Sequence, residues 1–180
     1  MSREITNIFL TGKINIGKST VLEKVLRHQI FKGLNTGGYR TRAIVENEIH
    51  TGYALDAING ASREFAHIGM QSSQKFDRYY VDPSVFDDLG VSALQSALKT
   101  ADVILLDEIG IIEKECQEFK RLVFDCLDSQ KIVLGIYQSR AYWFSKPLSD
   151  RNDAVSYEVT RHNRDGIYDI IIALLHKLKK

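Results

Sequence analysis

The sequence predicts an α/β fold, in which a mainly parallel β-sheet is flanked by helices. Short apolar segments alternate with segments of helical periodicity, as in parallel strands joined by right-handed helical crossovers. The first apolar segment is followed by a glycine-rich turn and then a helix. A second apolar run, residues 103–106, ends in two acidic residues and is typical of a strand covered on both faces.

The composition indicates one globular domain spanning residues 1–180, since 44% of the residues are apolar and 26% are charged. A net charge of +1 gives no overall attraction to nucleic acid or to a membrane surface. No apolar stretch approaches the roughly 20 residues of a membrane helix. The cysteines, Cys116 and Cys126, fall in one helical segment about 15 Å apart, too far for a disulfide. We therefore expect reduced thiols and a cytoplasmic protein.

The first half of the chain is expected to begin with a buried strand at residues 5–11 and a helix at 18–31. Residues 38–58 alternate partly between apolar and polar around the turn Glu46-Asn47-Glu48. This pattern predicts a hairpin with strands 39–45 and 50–58, followed by a short strand at 64–68. We expect this hairpin insertion, at about residues 38–68, to lie at one edge of the sheet.

The second half begins with Asp82-Pro83-Ser84, which indicates a helix start capped by Ser84. An apolar face then continues toward Thr100. Helical periodicity predicts a helix at 115–129, an apolar run predicts a strand at 132–137, and a shorter alternating segment predicts a strand at 155–159. Residues 167–178 form the last predicted helix, whose basic end suits the helix dipole.

The turn after the first strand matches G-x-x-x-x-G-K-[ST], a phosphate-binding loop. The matching residues are Gly12, Lys13, Ile14, Asn15, Ile16, Gly17, Lys18 and Ser19. Glycines let the N–H groups of residues 13–19 converge on phosphate oxygens, at the positive end of the following helix. Lys18 would reach the β- and γ-phosphates and the Ser19 hydroxyl would bind Mg²⁺, with Thr20 also near the nucleotide. Lys13 would supply an extra cation or point to solvent. The alternative is an ordinary strand-to-helix turn.

Two acids, Asp107 and Glu108, end the apolar run 103–106. A strand beside a phosphate loop is expected to end in an Asp that holds Mg²⁺ through water, which Asp107 fits. The adjacent Glu108 would accept the proton of the attacking water. The alternative is a solvated pair of acids at a strand end.

Residues 106–113, L-D-E-I-G-I-I-E, resemble the I-D-E-I-G-P-M-E segment of a family of small nucleoside triphosphatases, which includes the cancer-related type and the thermophilic archaeal and bacterial type. The matching positions are Asp107, Glu108, Gly110 and Glu113. Residues 37–41 resemble the family's G-G-F-Y-T strand, and residues 163–165 match its N-R-[DN] segment. The resemblance extends over nearly the whole chain. It implies a RecA-like sheet with an added hairpin, and a nucleotide site that includes Gly110 and Glu113.

The resemblance also implies Mg²⁺-dependent hydrolysis of ATP, GTP, CTP and UTP, with loose base preference, to nucleoside diphosphate and phosphate. Two alternatives stay open from the residues alone. One is a nucleotide or small-molecule kinase, with an acceptor site in residues 38–80. The other is a binding module in which nucleotide switches contact with an unidentified protein partner. The pair Asp107 and Glu108 favours hydrolysis.

Charge that develops on the γ-phosphoryl group requires a cation beyond Lys18 and Mg²⁺. Arg140 follows a core strand and Arg164 opens the last helix, so both are catalytic candidates, with surface salt bridges as the alternative for either. Arg40 and Arg42, in the hairpin, are further candidates. The aromatic run Tyr142-Trp143-Phe144 is expected to cover the base or to pack in the core.

Overall fold

The computed structural model describes residues 4–58 and 60–178, and within these ranges nine strands form a single sheet with five α-helices around it. The strands are β1 (Asn7–Thr11), β2 (Thr36–Glu46), β3 (Ile49–Ala57), β4 (Ser62–His67), β5 (Lys75–Phe76), β6 (Tyr79–Val81), β7 (Val103–Ile109), β8 (Ile132–Tyr137) and β9 (Ala154–Glu158). The helices are α1 (Lys18–Leu26), α2 (Val91–Thr100), α3 (Gln117–Asp128), α4 (Tyr142–Ser149) and α5 (Arg164–Leu178).

The order of strands across the sheet is β5-β6-β4-β3-β2-β7-β8-β1-β9. The five strands from β2 to β9 in this order are parallel, and the others extend the sheet with antiparallel pairs. The predicted α/β class with a parallel core flanked by helices is therefore confirmed. The loops that follow β1, β7 and β8 emerge at the same edge of this core.

The predicted hairpin is present as β2 and β3, but the expectation that it lies at one edge of the sheet is wrong. The first residues of β2 pair in parallel with β7, from Thr36 opposite Val103 to Arg40 opposite Asp107. The rest of β2 continues past this pairing as one arm of the hairpin. One strand thus serves both the parallel core and the antiparallel extension, which alternation in the sequence does not reveal.

The sheet is buried between two helical layers. Helices α1 and α5 cover one face with apolar side chains such as Val25 and Ile171, which pack on Ile8 and Leu10 of β1. Helices α2, α3 and α4 cover the other face, where Phe9 of the same strand lies. Successive residues of β1 thus face opposite layers, as the pleat of a strand requires. These layers fix the strand ends on which the candidate site is built.

Three helical predictions differ from the structure. Helix α1 ends at Leu26 rather than residue 31, because His28 is extended and its ring accepts the Ile30 N–H, which starts a separate 3₁₀ turn. No side-chain hydrogen bond caps the π-helical turn Phe86–Gly90 or helix α2 that follows it, and the Ser84 N–H donates to the Asp82 carboxylate at 3.1 Å, so the prediction that Ser84 is the cap is wrong. Helix α4 was not predicted, since eight residues containing Pro147 show little periodicity.

The thiols of Cys116 and Cys126 are both buried and free. Burial raises the pKa of each thiol to about 12. The expectation of no disulfide between them is confirmed. None of the helices within the described part of the chain is long and apolar enough to cross a membrane.

Candidate active site

The phosphate loop connects β1 to α1, and its two glycines occupy conformations that other residues rarely adopt. Gly12 has φ +133°, and a Cβ there would lie 2.6 Å from the carbonyl oxygen of Val159. Gly17 has φ +102°, and a Cβ there would lie 2.9 Å from Cδ of Arg164. The loop is therefore pressed against the segment that joins β9 to α5. Both positions require glycine for backbone reasons.

The start of α1 is exposed at Ser19 and Thr20, and no side chain caps its backbone N–H groups. Gly17 offers no capping side chain, and the first turn carries no acidic residue. Ser19 and Thr20 are exposed at this turn, as are Lys13, Ile14 and Asn15 in the loop before it. Free N–H groups at a helix start, together with the helix dipole, favour an anion. The sequence predicts that the N–H groups of residues 13–19 bind phosphate. In the structure the N–H of Ile16 instead donates to the carbonyl of Lys13 at 3.4 Å.

Lys18 is the charged side chain at the centre of the loop, and it is only 8% exposed. Its ammonium donates to the carbonyl oxygens of Gly12 and Lys13 at 3.1 and 3.0 Å. The same nitrogen lies 3.5 Å from Oε1 of Glu108. The fold thus brings together the two motifs that the sequence places far apart, because β8 is the only strand between β1 and β7.

Asp107 is buried near the end of β7, with 3% of its surface exposed. Burial raises the pKa of Asp107 to about 7, and the charge of Glu108 acts in the same direction. Arg40 and Lys18 oppose this shift through their positive charges. A carboxylate at this position is therefore poorly solvated, and a nearby cation would favour its ionised form.

Glu108 is held from three directions. Lys18 lies beside one carboxylate oxygen, as above, and Gln138 donates from Nε2 to the other oxygen, Oε2, at 3.1 Å. The backbone N–H of Glu108 donates to Oγ1 of Thr41 at 3.2 Å. These contacts come from α1, β2 and the loop after β8. The Glu108 side chain itself is 26% exposed, so water can reach it.

Glu113 and Gly110 form a buried turn directly after the two acids. Glu113 is 2% exposed, and its carboxylate accepts the N–H of Gly110. Burial raises the pKa of Glu113 to about 7, although this hydrogen bond acts in the opposite direction. Trp143 donates from its indole N–H to the carbonyl of Gly110 at 2.8 Å. Glu113 and Trp143, through their hydrogen bonds to Gly110, thus shape the turn that follows Glu108.

The two arginine candidates occupy different positions. The side chain of Arg164 lies against Gly17, as described, and its Nε is 3.5 Å from the carboxylate of Asp165. The side chain of Arg140 is exposed and has no hydrogen bond or ion pair among residues 4–58 and 60–178. Arg40 lies opposite Asp107 in the sheet and pairs with Glu23 of α1 at 3.2 Å.

Arg42, by contrast, is paired with Asp56 of the neighbouring strand at 2.7 Å and is half exposed. The aromatic run after Arg140 divides by position in α4. Phe144 is fully buried in the core and Trp143 packs beside it, whereas Tyr142 is exposed. The expectation of core packing is therefore confirmed for Phe144 and Trp143.

A magnesium ion fits the donor set at this site. Ser19 offers an exposed hydroxyl at the start of α1, and Asp107 offers a carboxylate, and Mg²⁺ prefers such hard oxygen ligands. No group of three or more His, Cys, Asp or Glu side chains in the described ranges could hold a metal ion alone. A magnesium ion held with nucleotide takes its remaining ligands from phosphate and water, so one or two protein oxygens suffice.

Sequence patterns do not select Gln138 as part of this site, and they do not predict the indole contact of Trp143 with Gly110. Gln138 directly follows β8 and Trp143 lies in α4, and the parallel order of β7 and β8 brings the ends of these strands together. The sequence signal for Gln138 is its position as a polar residue directly after an apolar core strand. Its hydrogen bond to Glu108 becomes visible only in the structure.

Comparison with known proteins finds related sequences over most of the chain. A sequence model of the NTPase family matches residues 7–172. The Nucleoside-triphosphatase THEP1 of Thermotoga maritima is 29% identical over 168 residues, which cover 93% of this chain and 94% of the relative. The Nucleoside-triphosphatase THEP1 of Thermofilum pendens is 30% identical over 162 residues, covering 88% and 89% of the two chains.

Solved structures give the same result for the fold. The crystal structure of THEP1 from Aquifex aeolicus superposes with a TM-score of 0.77 at 26% identity, covering 94% of this chain and 98% of that one. The solution structure of a human cancer-related nucleoside triphosphatase gives 0.78 at 23% identity, over 97% and 99% of the chains, and supports the fold alone. The matched family model spans most of the chain, and the chain therefore belongs to the NTPase family of enzymes.

Proposed function

We propose that this enzyme hydrolyses nucleoside 5′-triphosphates to nucleoside diphosphate and phosphate in a Mg²⁺-dependent reaction, with broad base preference. The observation that carries the proposal is the 3.5 Å approach of Lys18 to Glu108. This approach places a candidate base beside the ammonium that would hold the γ-phosphate. The names of the curated relatives support the same reaction.

Binding would begin at the start of α1. The N–H groups of the loop and the Lys18 ammonium would engage the β- and γ-phosphates, and Lys18 would exchange the carbonyls of Gly12 and Lys13 for phosphate oxygens. The hydroxyl of Ser19 would hold Mg²⁺ directly, and Asp107 would hold it through water. Bound Mg²⁺ would neutralise charge on the β- and γ-phosphate oxygens.

The chemical step would use Glu108 as general base. Its carboxylate would accept a proton from water while the water oxygen forms a bond to the γ-phosphorus. The bond from this phosphorus to the β–γ bridging oxygen would break, and the electron pair would leave with the diphosphate. We assign Arg164 to the charge on the transferring group, because its side chain lies against the loop at Gly17.

Glu113 and Gly110 act indirectly in this proposal. The Glu113 carboxylate is buried and accepts the Gly110 N–H, so it faces the protein interior rather than solvent. We therefore assign these residues to the shape of the turn after Glu108, not to contact with nucleotide. Arg140 is exposed at the same edge and remains a second candidate for the transition-state cation.

Phosphate release from ATP, GTP, CTP and UTP, each with Mg²⁺ and with excess chelator, tests the proposal. Release from all four that is lost with chelator is the expected result. Release from a single nucleotide would contradict the broad base preference. Tight nucleotide binding without phosphate release, or label transfer to an added nucleoside or nucleoside monophosphate, would contradict hydrolysis and favour the switch or the kinase.

A further inference from the structure

The side chain of Gln138 joins the end of β8 to the candidate base on β7. Its Nε2 donates to Oε2 of Glu108 at 3.1 Å. We propose that Gln138 is a positioning residue, which holds the Glu108 carboxylate in the orientation needed to take a proton from the attacking water. This inference rests on the proposed hydrolysis.

The backbone of Gln138 makes two hydrogen bonds that fix its position. Its backbone N–H donates to the carbonyl of Ile109 at 2.8 Å, and its carbonyl accepts the Ala141 N–H at 2.8 Å. Its amide group lies over Gly110, where an added Cβ would be 3.0 Å from Nε2. The backbone hydrogen bonds fix the position from which the side chain starts, and the amide group packs over Gly110 in the turn after β7.

The hydrogen bond from Gln138 becomes more important for orienting the Glu108 carboxylate when nucleotide binds. Lys18 now lies beside Oε1 of Glu108, but its ammonium is also the group that would move to the phosphates. The contact of Thr41 is to the backbone N–H of Glu108 and does not fix the side chain. Once Lys18 has turned away, Gln138 would be the remaining side-chain contact that orients the carboxylate.

A loosely held base is a poor base, because a displacement of about 1 Å from the productive geometry can lower a rate by roughly 100-fold. Positioning through Gln138 should therefore affect the chemical step and not nucleotide binding. It should also require Glu108, since Gln138 acts on that side chain alone.

The test compares Gln138→Ala and Gln138→Met with the wild type in steady-state phosphate release. Gln138→Met keeps the length of the side chain over Gly110 and adds no charge but lacks the donating amide, so it separates positioning from packing. We expect kcat to fall by about tenfold or more in both variants. The affinity for nucleoside diphosphate and the melting temperature should stay near the wild-type values. Gln130→Ala, an exposed glutamine outside the site, is the matched control.

The same substitution in a Glu108→Gln background provides the second readout. Gln138→Ala should then change kcat by less than about twofold, because residues that act as a unit are not additive. Wild-type kcat in Gln138→Met, or an undiminished loss in the Glu108→Gln background, would overturn the positioning role and leave hydrolysis intact. Absence of phosphate release by the wild type would overturn the proposed function and the inference together.

Discussion

The ammonium nitrogen of Lys18 lies 3.5 Å from Oε1 of Glu108, so the phosphate loop and the acidic end of β7 meet at one point. The lysine is almost fully buried, and the glutamate is partly open to water. The cation proposed to bind phosphate and the carboxylate proposed to accept a proton thus face the same space. The predictions below follow from this arrangement and from the loop around it.

Lys18→Ala should weaken nucleotide binding by about 100-fold, because it removes the buried cation nearest the phosphates, and hydrogen bonds to charged groups contribute roughly 1.5–3 kcal/mol each. Titration calorimetry with a nonhydrolysable triphosphate measures the change. Lys32→Ala, at an exposed site after α1, is the control. An unchanged affinity in Lys18→Ala would place the phosphates elsewhere.

Gly17→Ala should destabilise the loop by about 1–3 kcal/mol and weaken phosphate binding, since alanine is strained at φ +102°. The added methyl group would also meet the flexible side chain of Arg164. The double variant Gly17→Ala/Arg164→Ala separates these two causes. We expect the thermal destabilisation to persist in the double variant. Full recovery of stability would mean that the side-chain clash, not backbone strain, dominates.

Arg164→Ala should lower kcat by on the order of 100-fold, as expected when one stabilising donor is removed from a developing anionic group. Stopped-flow phosphate detection measures the effect. Arg27→Ala, whose side chain is 83% exposed, is the control for loss of a surface charge. A larger loss from Arg140→Ala than from Arg164→Ala would reverse the assignment of the two arginines.

Glu113→Gln should make the protein's stability less dependent on pH. The pKa of Glu113 in the folded protein is about 7, above the usual 4.5, so its contribution is present below about pH 4.5 and is lost as pH rises through 7. The titratable groups around it are Tyr39 on β2, Glu108 on β7 and Cys116 before α3. Glutamine keeps an oxygen for the Gly110 N–H without the charge.

Between pH 4 and 8 the free energy of unfolding of the wild type should therefore fall, relative to Glu113→Gln, by on the order of 1–3 kcal/mol. Urea unfolding across this range measures the difference. Glu115→Gln, exposed in the same turn, should show no such trend. A constant difference between the wild type and Glu113→Gln would mean that folding does not raise the pKa of Glu113.

Local motifs carried most of the sequence-based predictions. The central strands β1, β7 and β8 were predictable because fully buried strands are continuously apolar, as in residues 132–137, which form β8. The phosphate loop was predictable because its glycines and Lys18 must lie close together in sequence. The early end of α1 was not, because it depends on one side-chain hydrogen bond of His28.

Contacts between distant segments account for what the sequence could not predict. Alternation in residues 38–58 indicates a hairpin but does not tell that β2 also pairs with β7. The position after β8 predicts that Arg140 lies at the same edge of the sheet as the phosphate loop, but it does not predict that the side chain is exposed. The contact of Gln138 with Glu108 joins two strand ends, and only the assembled sheet determines it.

Single-turnover hydrolysis by Glu108→Gln is the most direct test of the central claim. Phosphate release would be measured with enzyme in excess of nucleotide, together with the affinity for a nonhydrolysable triphosphate. Glu64→Gln, an exposed glutamate on β4, is the matched control. We predict that Glu108→Gln binds nucleotide as the wild type does but releases phosphate at least about 100-fold more slowly. Release at the wild-type rate would show that Glu108 is not the general base.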